Sequence, residues 1–340
     1  MGELTRRYIE KQRDLTELGI TPHFPRIIKI DICNICNYAC VFCPQAKQEG
    51  KIGNIDDALC KKIMKDAYEE GAREICLSST GEPLLNPRLS DYILFAKKLG
   101  YEYVFFNTNG FLMDETLAAK VIESGADSVK FSINAAAKSY KLIHGGGSYE
   151  RVIENLKIFD HVRKEKGSPC RLYVSYVATK YTMEEAETVE RDTKEYIDEF
   201  MIMKANNRGG VADEVDRELY AGMDEYTYIF PCSQIFNNVY VTSEGYLVAC
   251  CQDFDNQMVL EDLHEISVGE AWNGKRFTEF RSRFLKKDFG ESMCENCLFN
   301  RHNKVKPLRP EYAGYNISEK KKENLMRRIR AFDVKLSGGE

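Results

Sequence analysis

The chain has 340 residues, of which 43% are hydrophobic and 11% aromatic, and its formal net charge is −5. A chain of this length can form one large barrel with an appendage, or two domains. The acidic balance argues against a surface for nucleic acid, and the lack of any apolar run of about 18 residues argues against a membrane span. The chain has 12 cysteines and no apolar export signal in its first residues, which predicts a cytoplasmic protein that uses its thiols for metal or redox chemistry.

Residues 1–25 predict a short charged helix and loop, after which strand and helix patterns alternate. Apolar, β-branched or aromatic runs predict strands at residues 26–33, 74–79, 103–108, 128–133, 172–179 and 199–205. Apolar residues at helical spacing lie between them, for example in residues 56–71 and 148–167. Such a succession of β/α units predicts a parallel sheet, either doubly wound or curved into a barrel. In both folds the active site lies where the strands end.

Three cysteines, Cys36, Cys40 and Cys43, follow the first predicted strand with the spacing C-x3-C-x2-C. A four-iron cluster held by three thiolates keeps one iron without a protein ligand, and that iron can bind a small molecule. A zinc site is the alternative interpretation. Zinc would need a fourth cysteine or histidine, which Cys33 could supply.

Polar residues also follow the next three predicted strands. Gly81 allows a sharp turn after the second strand, and the carboxylate of Glu82 could accept a hydrogen bond from an ammonium group at the open iron. Asn109 follows the third strand, while Ser132 and Asn134 end the fourth, and such groups suit a ribose or a carboxylate. Each motif alone is also typical of an ordinary turn or helix cap.

With these motifs, residues 26–210 resemble the core of radical S-adenosylmethionine (SAM) enzymes. The resemblance implies an α/β fold with a partial (β/α)6 barrel of the TIM type. It implies that Cys36, Cys40 and Cys43 bind a [4Fe-4S] cluster whose open iron chelates SAM. It also implies that Gly81, Glu82 and Pro83 form the wall facing the SAM amino group, with Asn109, Ser132 and Asn134 as further contacts.

The same resemblance implies the chemistry and the partners. SAM is cleaved reductively to methionine and a 5′-deoxyadenosyl radical, which abstracts a hydrogen from the substrate. The protein positions this cofactor and excludes competing reactions. An external electron donor such as flavodoxin or ferredoxin is implied, and neither a membrane nor a nucleic acid is expected as a partner.

The pattern changes after Tyr220, where the remaining cysteines are Cys232, Cys250, Cys251, Cys294 and Cys297. Residues 238–250 predict a β-hairpin that turns at Glu244 and Gly245, which would bring Cys232 close to Cys250. The final C-x2-C pair adds two thiolates and completes four ligands. A four-cysteine zinc site and an auxiliary four-iron cluster both fit this spacing.

The stretch from Glu270 through Trp272 to Gly274, followed by Phe277 and Arg281, resembles the SPASM or shorter twitch extensions of radical SAM enzymes. That resemblance implies one auxiliary [4Fe-4S] cluster held by Cys232, Cys250, Cys294 and Cys297. The expected layout is an N-terminal segment (1–25), the barrel (26–215), a small hairpin-containing iron–sulfur extension (216–305) and a C-terminal tail and helix (306–340).

Several single residues have two interpretations. Cys251 neighbours a predicted ligand, and side chains alternate along an extended chain, so it is either a packed thiol or a hydrogen-atom donor facing the substrate. His144 is a candidate base or a packed loop residue, and Lys204 and Arg208 are candidate substrate contacts or a solvated rim. The basic stretch 319–330 predicts a solvated helix face, with docking of an acidic carrier or RNA as the alternative.

The expected function is oxidation of a carbohydrate or aminocyclitol, free or linked to a nucleotide or carrier, with the auxiliary cluster accepting an electron. One alternative is a radical epimerase or crosslinking maturase that acts on a ribosomal peptide. Another is a sugar epimerase that uses Cys251 as its hydrogen donor. A zinc-stapled binding module without catalysis is a further alternative.

Overall fold

The computed structural model describes residues 2–7, 18–49, 53–204, 217–219, 230–299, 301, 303–314 and 316–337. Two of the predicted substrate contacts are affected by these limits. Arg208 lies outside the described residues, and at Lys204 only the backbone is described. Both assignments therefore stay predictions.

The described strands form two sheets. Their bounds are β1 Ile27–Ile30, β2 Gln48–Glu49, β3 Glu74–Cys76, β4 Tyr103–Thr108, β5 Ser128–Ser132, β6 Arg171–Ala178, β7 Glu199–Lys204, β8 Val239–Val241, β9 Tyr246–Val248, β10 Val259–Asp262 and β11 Asn316–Ile317. A nine-stranded sheet has the order β10-β9-β8-β1-β3-β4-β5-β6-β7, and β11 pairs with β2 in a two-stranded sheet.

The described α-helices lie mostly between these strands. In chain order they are α1 Asp57–Glu69, α2 Leu89–Leu99, α3 Glu115–Glu123, α4 Ala137–His144, α5 Tyr149–Glu165, α6 Ala186–Thr193, α7 Gln234–Asn237, α8 Val268–Trp272, α9 Lys275–Leu285, α10 Met293–Phe299 and α11 Glu319–Ser337. In the part of the chain that the structure describes, none of the helices is long and apolar enough to cross a membrane.

The strands β1, β3, β4, β5, β6 and β7 are paired in parallel throughout. They correspond to the strands predicted from the sequence, and the prediction of a parallel α/β core with a partial barrel is confirmed. The helices also follow the predicted periodicity. In α1 the residues Leu59, Ile63 and Ala67 share a buried face, and the Asp56 side chain caps the helix by accepting from the Leu59 N–H at 2.9 Å.

The hairpin β8–β9 has the predicted antiparallel pairing, with Tyr240 opposite Val248 and Val241 opposite Leu247. Its position in the sheet was not predicted. Strand β8 pairs in parallel with β1, and the Asp31 N–H donates to the Val241 carbonyl at 2.9 Å. The cysteine-rich extension therefore continues the sheet of the barrel, because it uses the edge of β1 that β3 does not occupy.

A buried arginine organises the extension. Arg281 is fully buried, and its guanidinium carbon lies 4.1 Å from the centroid of one ring of Trp272 and 3.6 Å from that of Phe277. It donates to the carbonyls of Ile235 at 3.1 Å and Trp272 at 2.8 Å. These contacts join α7, α8 and α9, so the motif that resembled a SPASM extension forms part of the packed core.

One side of helix α11 is buried. The prediction that this basic helix presents a solvated face is therefore wrong for that side. Leu325 and Ile329 are buried in a cluster with Val41, Phe42 and Ile143. Arg328 donates to backbone carbonyls of the same region, those of Ala39 at 2.7 Å, Leu142 at 2.8 Å and Ile143 at 3.0 Å. The helix therefore covers the chain around Cys40.

We predict that Ile329→Ala lowers the free energy of unfolding by about 3 kcal/mol, because it removes buried methyl groups and creates a cavity. Arg330→Ala is the matched control, since Arg330 is exposed on the same helix. Denaturant unfolding of both variants checks the expectation. Equal stability of the two variants would show that α11 does not pack as described.

Candidate active site

A cleft opens where the parallel strands end. It encloses about 910 Å³, including its mouth, and we call it the rim cleft. Cys36, Cys40 and Cys43 form one side of it. The other side comes from the ends of the strands, with Ser79 after β3, Asn107 in β4, Ser132 in β5, Ser175 in β6 and Met203 in β7. The structure thus brings the three predicted cluster ligands to the edge where parallel folds bind ligands.

Residues 36–43, the cysteine loop, are held by backbone hydrogen bonds to the end of α4. The Ala39 N–H donates to the His144 carbonyl at 3.0 Å, and the Val41 N–H donates to the Ile143 carbonyl at 2.9 Å. These bonds lie on either side of Cys40. The backbone at Cys40 is consequently held by the fold.

The turn at Gly81 packs against the residues that lead into the cysteine loop. The Glu82 N–H donates to the Ile35 carbonyl at 2.7 Å, and the Cys33 thiol donates to the Glu82 carbonyl at 3.2 Å. A Cβ atom at Gly81 would lie 2.3 Å from the Cys33 carbonyl oxygen. Only glycine allows this approach, which gives Gly81 a role that does not depend on a cofactor.

The Glu82 carboxylate is buried in the wall of the rim cleft. It accepts from the Thr108 hydroxyl at 2.6 Å, the Asn109 N–H at 2.7 Å and the Leu84 N–H at 3.1 Å. Burial raises its pKa to about 7 in spite of these donors. Two carboxylate oxygens can accept about four hydrogen bonds, so one further donor, such as an ammonium group, can still be accommodated.

The other predicted cofactor contacts differ in their positions. Asn109, Ser132 and Asn134 line the rim cleft. The Asn109 amide donates to Asn37 Oδ1 at 2.7 Å, and Asn134 Oδ1 accepts from the Val177 N–H at 2.7 Å. Pro83 is buried at the start of a short 3-10 turn, and its assignment to the cofactor wall stays a prediction.

Four cysteines of the extension lie on a second space, the cysteine cavity, of about 450 Å³ with the open space at its mouth included. Cys232, Cys250, Cys294 and Cys297 all line it, together with apolar side chains such as Met258 and Phe284. Four thiols in an apolar cavity are a suitable donor set for an iron–sulfur cluster. The observed donors therefore fit the group that the sequence predicted.

Cys251 lies on a different space, the inner cavity, of about 500 Å³ with the open space at its mouth included, which Cys250 also touches. The inner cavity is lined by polar residues that include Lys29, Asp31 and Tyr240. Lys29 Nζ lies 3.4 Å from the Tyr240 hydroxyl. Cys251 thus lines the inner cavity alone, whereas Cys250 lines both spaces. The two thiols are hydrogen-bonded to each other, so they do not face opposite ways as alternating side chains of an extended chain would.

The inner cavity adjoins the rim cleft, since Ser79, Thr80 and Phe254 line both. Asp31 forms part of this boundary and accepts from both the hydroxyl and the backbone N–H of Thr80. Burial raises the pKa of Asp31 to about 7. Asp31 and Lys29 were not predicted as site residues, although two ionisable residues at alternate positions of an apolar strand were a usable signal.

The interpretation of His144 as a base near the substrate does not match its position. His144 is 1% exposed, its Nε2 accepts from the Asn134 N–H at 3.2 Å, and its Nδ1 lies 3.3 Å from Cys40 Sγ. Burial, and then the Arg328 charge, lower its pKa to about 3. Both ring nitrogens face protein atoms, so neither is available to take a proton from a substrate.

Two family models match the chain. The model of the radical SAM superfamily matches residues 30–192, and that of an iron–sulfur cluster-binding domain, SPASM, matches residues 232–298. The first contains the cysteine loop and the residues that line the rim cleft, except Met203 and Phe254. The second contains all the residues that line the cysteine cavity.

Two curated relatives differ in how much of the chain they cover. The SAM-dependent 2-deoxy-scyllo-inosamine dehydrogenase of Niallia circulans is 25% identical over 80% of this chain and 92% of its own length. The probable GTP 3′,8-cyclase of Saccharolobus solfataricus is 34% identical, but only over 38% of this chain and 42% of its own length.

Solved structures share the fold at low identity. BtrN in complex with AdoMet and 2-DOIA has a TM-score of 0.54 at 20% identity, covering 86% of this chain and 98% of that one. SuiB of Streptococcus suis bound to S-adenosylmethionine has a TM-score of 0.60 at 16% identity, covering 82% and 72%. The structure of anSMEcpe with AdoMet has a TM-score of 0.59 at 14% identity, covering 91% and 93%.

We predict that Gly81→Ala destabilises the protein by about 2 kcal/mol and lowers the iron content of the anaerobically purified protein, because the added Cβ displaces the support of the cysteine loop. Gly53→Ala is the control, since no described atom lies within 4 Å of a Cβ at that position. Iron analysis and denaturant unfolding check the expectation. Wild-type iron content and stability in Gly81→Ala would contradict the described packing.

Proposed function

Because this chain belongs to the radical SAM superfamily and carries a SPASM domain, we propose that it oxidises a carbinol of a small carbohydrate or aminocyclitol. Its cofactors are SAM and [4Fe-4S] clusters. When bound, they supply a 5′-deoxyadenosyl radical for hydrogen abstraction and, at the auxiliary site, an electron acceptor. The observation that carries the proposal is the polar inner cavity between the two groups of cysteines.

The cysteines would divide between the two sites by the spaces they line. Cys36, Cys40 and Cys43 would hold the SAM-binding cluster beside the rim cleft. Cys232, Cys250, Cys294 and Cys297 would hold the auxiliary cluster in the cysteine cavity. We also propose an external one-electron donor such as flavodoxin or ferredoxin.

The inner cavity suits a small, highly polar substrate. Several polar side chains converge on it, and such groups fix the orientation of a small ligand. The carboxyl groups of Asp31, Glu244 and Asp253 can accept from substrate hydroxyl or amino groups, and Lys29 can donate to a hydroxyl oxygen. The dehydrogenase relative, which aligns over most of both chains, supports an aminocyclitol as the substrate class.

Asp31 is placed to act as the general base. Its carboxyl lies at the boundary of the inner cavity and the rim cleft, and Thr80 orients it by two hydrogen bonds. We propose that Asp31 takes the hydroxyl proton of the carbinol while Lys29 holds the oxygen. Phe254, which lines both spaces, would help to exclude water from the reacting carbon.

We predict that the reconstituted enzyme converts 2-deoxy-scyllo-inosamine, or a related cyclitol, to a ketone. One SAM should be consumed per ketone, giving one methionine, one 5′-deoxyadenosine and one proton, since SAM is the net oxidant. Substrate deuterated at the carbinol carbon should transfer its deuterium to 5′-deoxyadenosine. Mass spectrometry of the nucleoside and the product measures both quantities.

The control is a Cys36/Cys40/Cys43→Ala triple variant, which should form no 5′-deoxyadenosine. Ketone formed without consumption of SAM would overturn the dehydrogenase proposal. SAM cleavage without ketone from any cyclitol or sugar tested would instead leave the superfamily chemistry intact and refute the substrate class.

Radical epimerisation of a sugar is the second candidate, because Cys251 lines the inner cavity and not the cysteine cavity. Its thiol could donate a hydrogen atom to a substrate carbon radical, and an external reductant would then restore the thiol. In deuterium oxide this reaction places solvent deuterium on carbon, whereas oxidation to a ketone does not. Loss of product in Cys251→Ala, with iron content unchanged, would favour the epimerase.

We predict that the rate of oxidation rises with pH through about 7, because Asp31 must be ionised to take a proton and its pKa is raised to about 7 by burial. Asp31→Asn should lower the rate about 100-fold or more and abolish this rise. A pH–rate profile at saturating SAM provides the test.

Asp91→Asn is the control, since Asp91 is exposed on α2 and lines neither the inner cavity nor the rim cleft. It should keep the wild-type profile. An unchanged profile and rate in Asp31→Asn would refute the role of Asp31 as the base.

A further inference from the structure

His144 has a contact that the proposed function does not use. It is the last residue of α4, and its ring is buried against the cysteine loop. Its Nδ1 lies 3.3 Å from Cys40 Sγ. Tyr38 and Tyr140 also pack against the imidazole, with ring centroids 5.4 Å and 4.3 Å from it, so the ring has little freedom to turn.

The tautomer of this histidine follows from its second contact. The backbone N–H of Asn134 donates to Nε2 at 3.2 Å. A backbone N–H can only donate, so Nε2 must accept and carries no proton. The imidazole therefore holds its single proton on Nδ1, the nitrogen that faces the sulfur of Cys40.

The backbone around the contact is fixed independently of the ring. The Ala39 N–H bonds to the His144 carbonyl and the Val41 N–H bonds to the Ile143 carbonyl. The guanidinium of Arg328 in α11 donates to the Ala39 carbonyl in the cysteine loop and to the Ile143 carbonyl at the end of α4. It therefore links these two segments. The geometry between Nδ1 and the sulfur is thus held from the sheet, from α4 and from α11.

We propose that His144 is a positioning residue whose Nδ1–H donates a hydrogen bond to the Cys40 thiolate and thereby raises the reduction potential of the SAM-binding cluster. Hydrogen bonds to cluster sulfurs favour the reduced form, because reduction adds negative charge that the donor stabilises. A higher potential makes the cluster easier for a one-electron donor to reduce. The inference depends on Cys40 being a cluster ligand and does not depend on the substrate.

The first test uses the wild-type protein. Protein labelled with 15N at histidine is purified anaerobically, reduced, and examined by pulsed EPR. A 15N coupling to the reduced SAM-binding cluster is expected, together with a coupling to an exchangeable proton that disappears in deuterium oxide. Their absence, in protein with full iron content, would overturn the proposal without the need for a variant.

The second test is a redox titration of two variants. His144→Leu removes the donor, and we expect its SAM-binding cluster to be about tenfold harder to reduce, a fall of ~59 mV for one electron. His144→Asn is the conservative variant. The amide nitrogen of asparagine is separated from Cβ by the same number of bonds as Nδ1 of histidine, so it can donate from a similar position. It should recover most of the lost potential.

The auxiliary cluster is the internal control, since its potential should not change in either variant. An unchanged potential of the SAM-binding cluster in His144→Leu, at full iron content, would overturn the proposal. If His144→Leu loses its iron, the presence or absence of the 15N coupling in the wild-type protein decides whether the proposal stands. If wild type itself holds no cluster at Cys36, Cys40 and Cys43, the proposed function fails instead, and iron analysis separates the two failures.

Discussion

The parallel pairing of β1 with β8 brings the two cysteine-bearing parts of the chain onto one sheet. In this register Lys29 of β1 lies opposite Tyr240 of β8, and both side chains line the inner cavity. On its other edge β1 pairs with β3, which leads to Thr80 and Gly81. One strand therefore contributes Lys29 to the inner cavity and joins the barrel to the cysteine-rich extension. Without this pairing the two groups of cysteines would have no fixed separation.

The cysteine loop has support on three sides, which is the arrangement expected of a preorganised site. The end of α4 holds its backbone, the turn at Gly81 packs beneath its entry, and α11 covers it through Ile329 and Arg328. A cluster held by three thiolates needs each sulfur in place before the open iron can bind a ligand. Packing from distant parts of the chain meets this need, since the loop has little regular structure of its own.

Two carboxyl groups are buried where the strands end, Glu82 in the rim cleft and Asp31 at the inner cavity. Hydrogen bonds from Thr108 and Thr80 satisfy much of their accepting capacity, but burial still raises both pKa values to about 7. Burying such groups works against stability. Sites that depart from the ordinary rules of packing in this way are often the functional ones, because ligand binding and proton transfer need them.

The sequence by itself determined the parallel strands, the hairpin and the grouping of the cysteines, because periodicity and ligand spacing are local properties of the chain. It did not determine the orientation of Cys250 and Cys251, whose thiols are hydrogen-bonded to each other and do not alternate as in an extended segment. Only the tertiary structure decided that β8 pairs with β1, that Arg328 and Ile329 cover the cysteine loop, and that His144 faces Cys40. These contacts join residues about 100 to 290 positions apart, and no local pattern specifies which surfaces will meet.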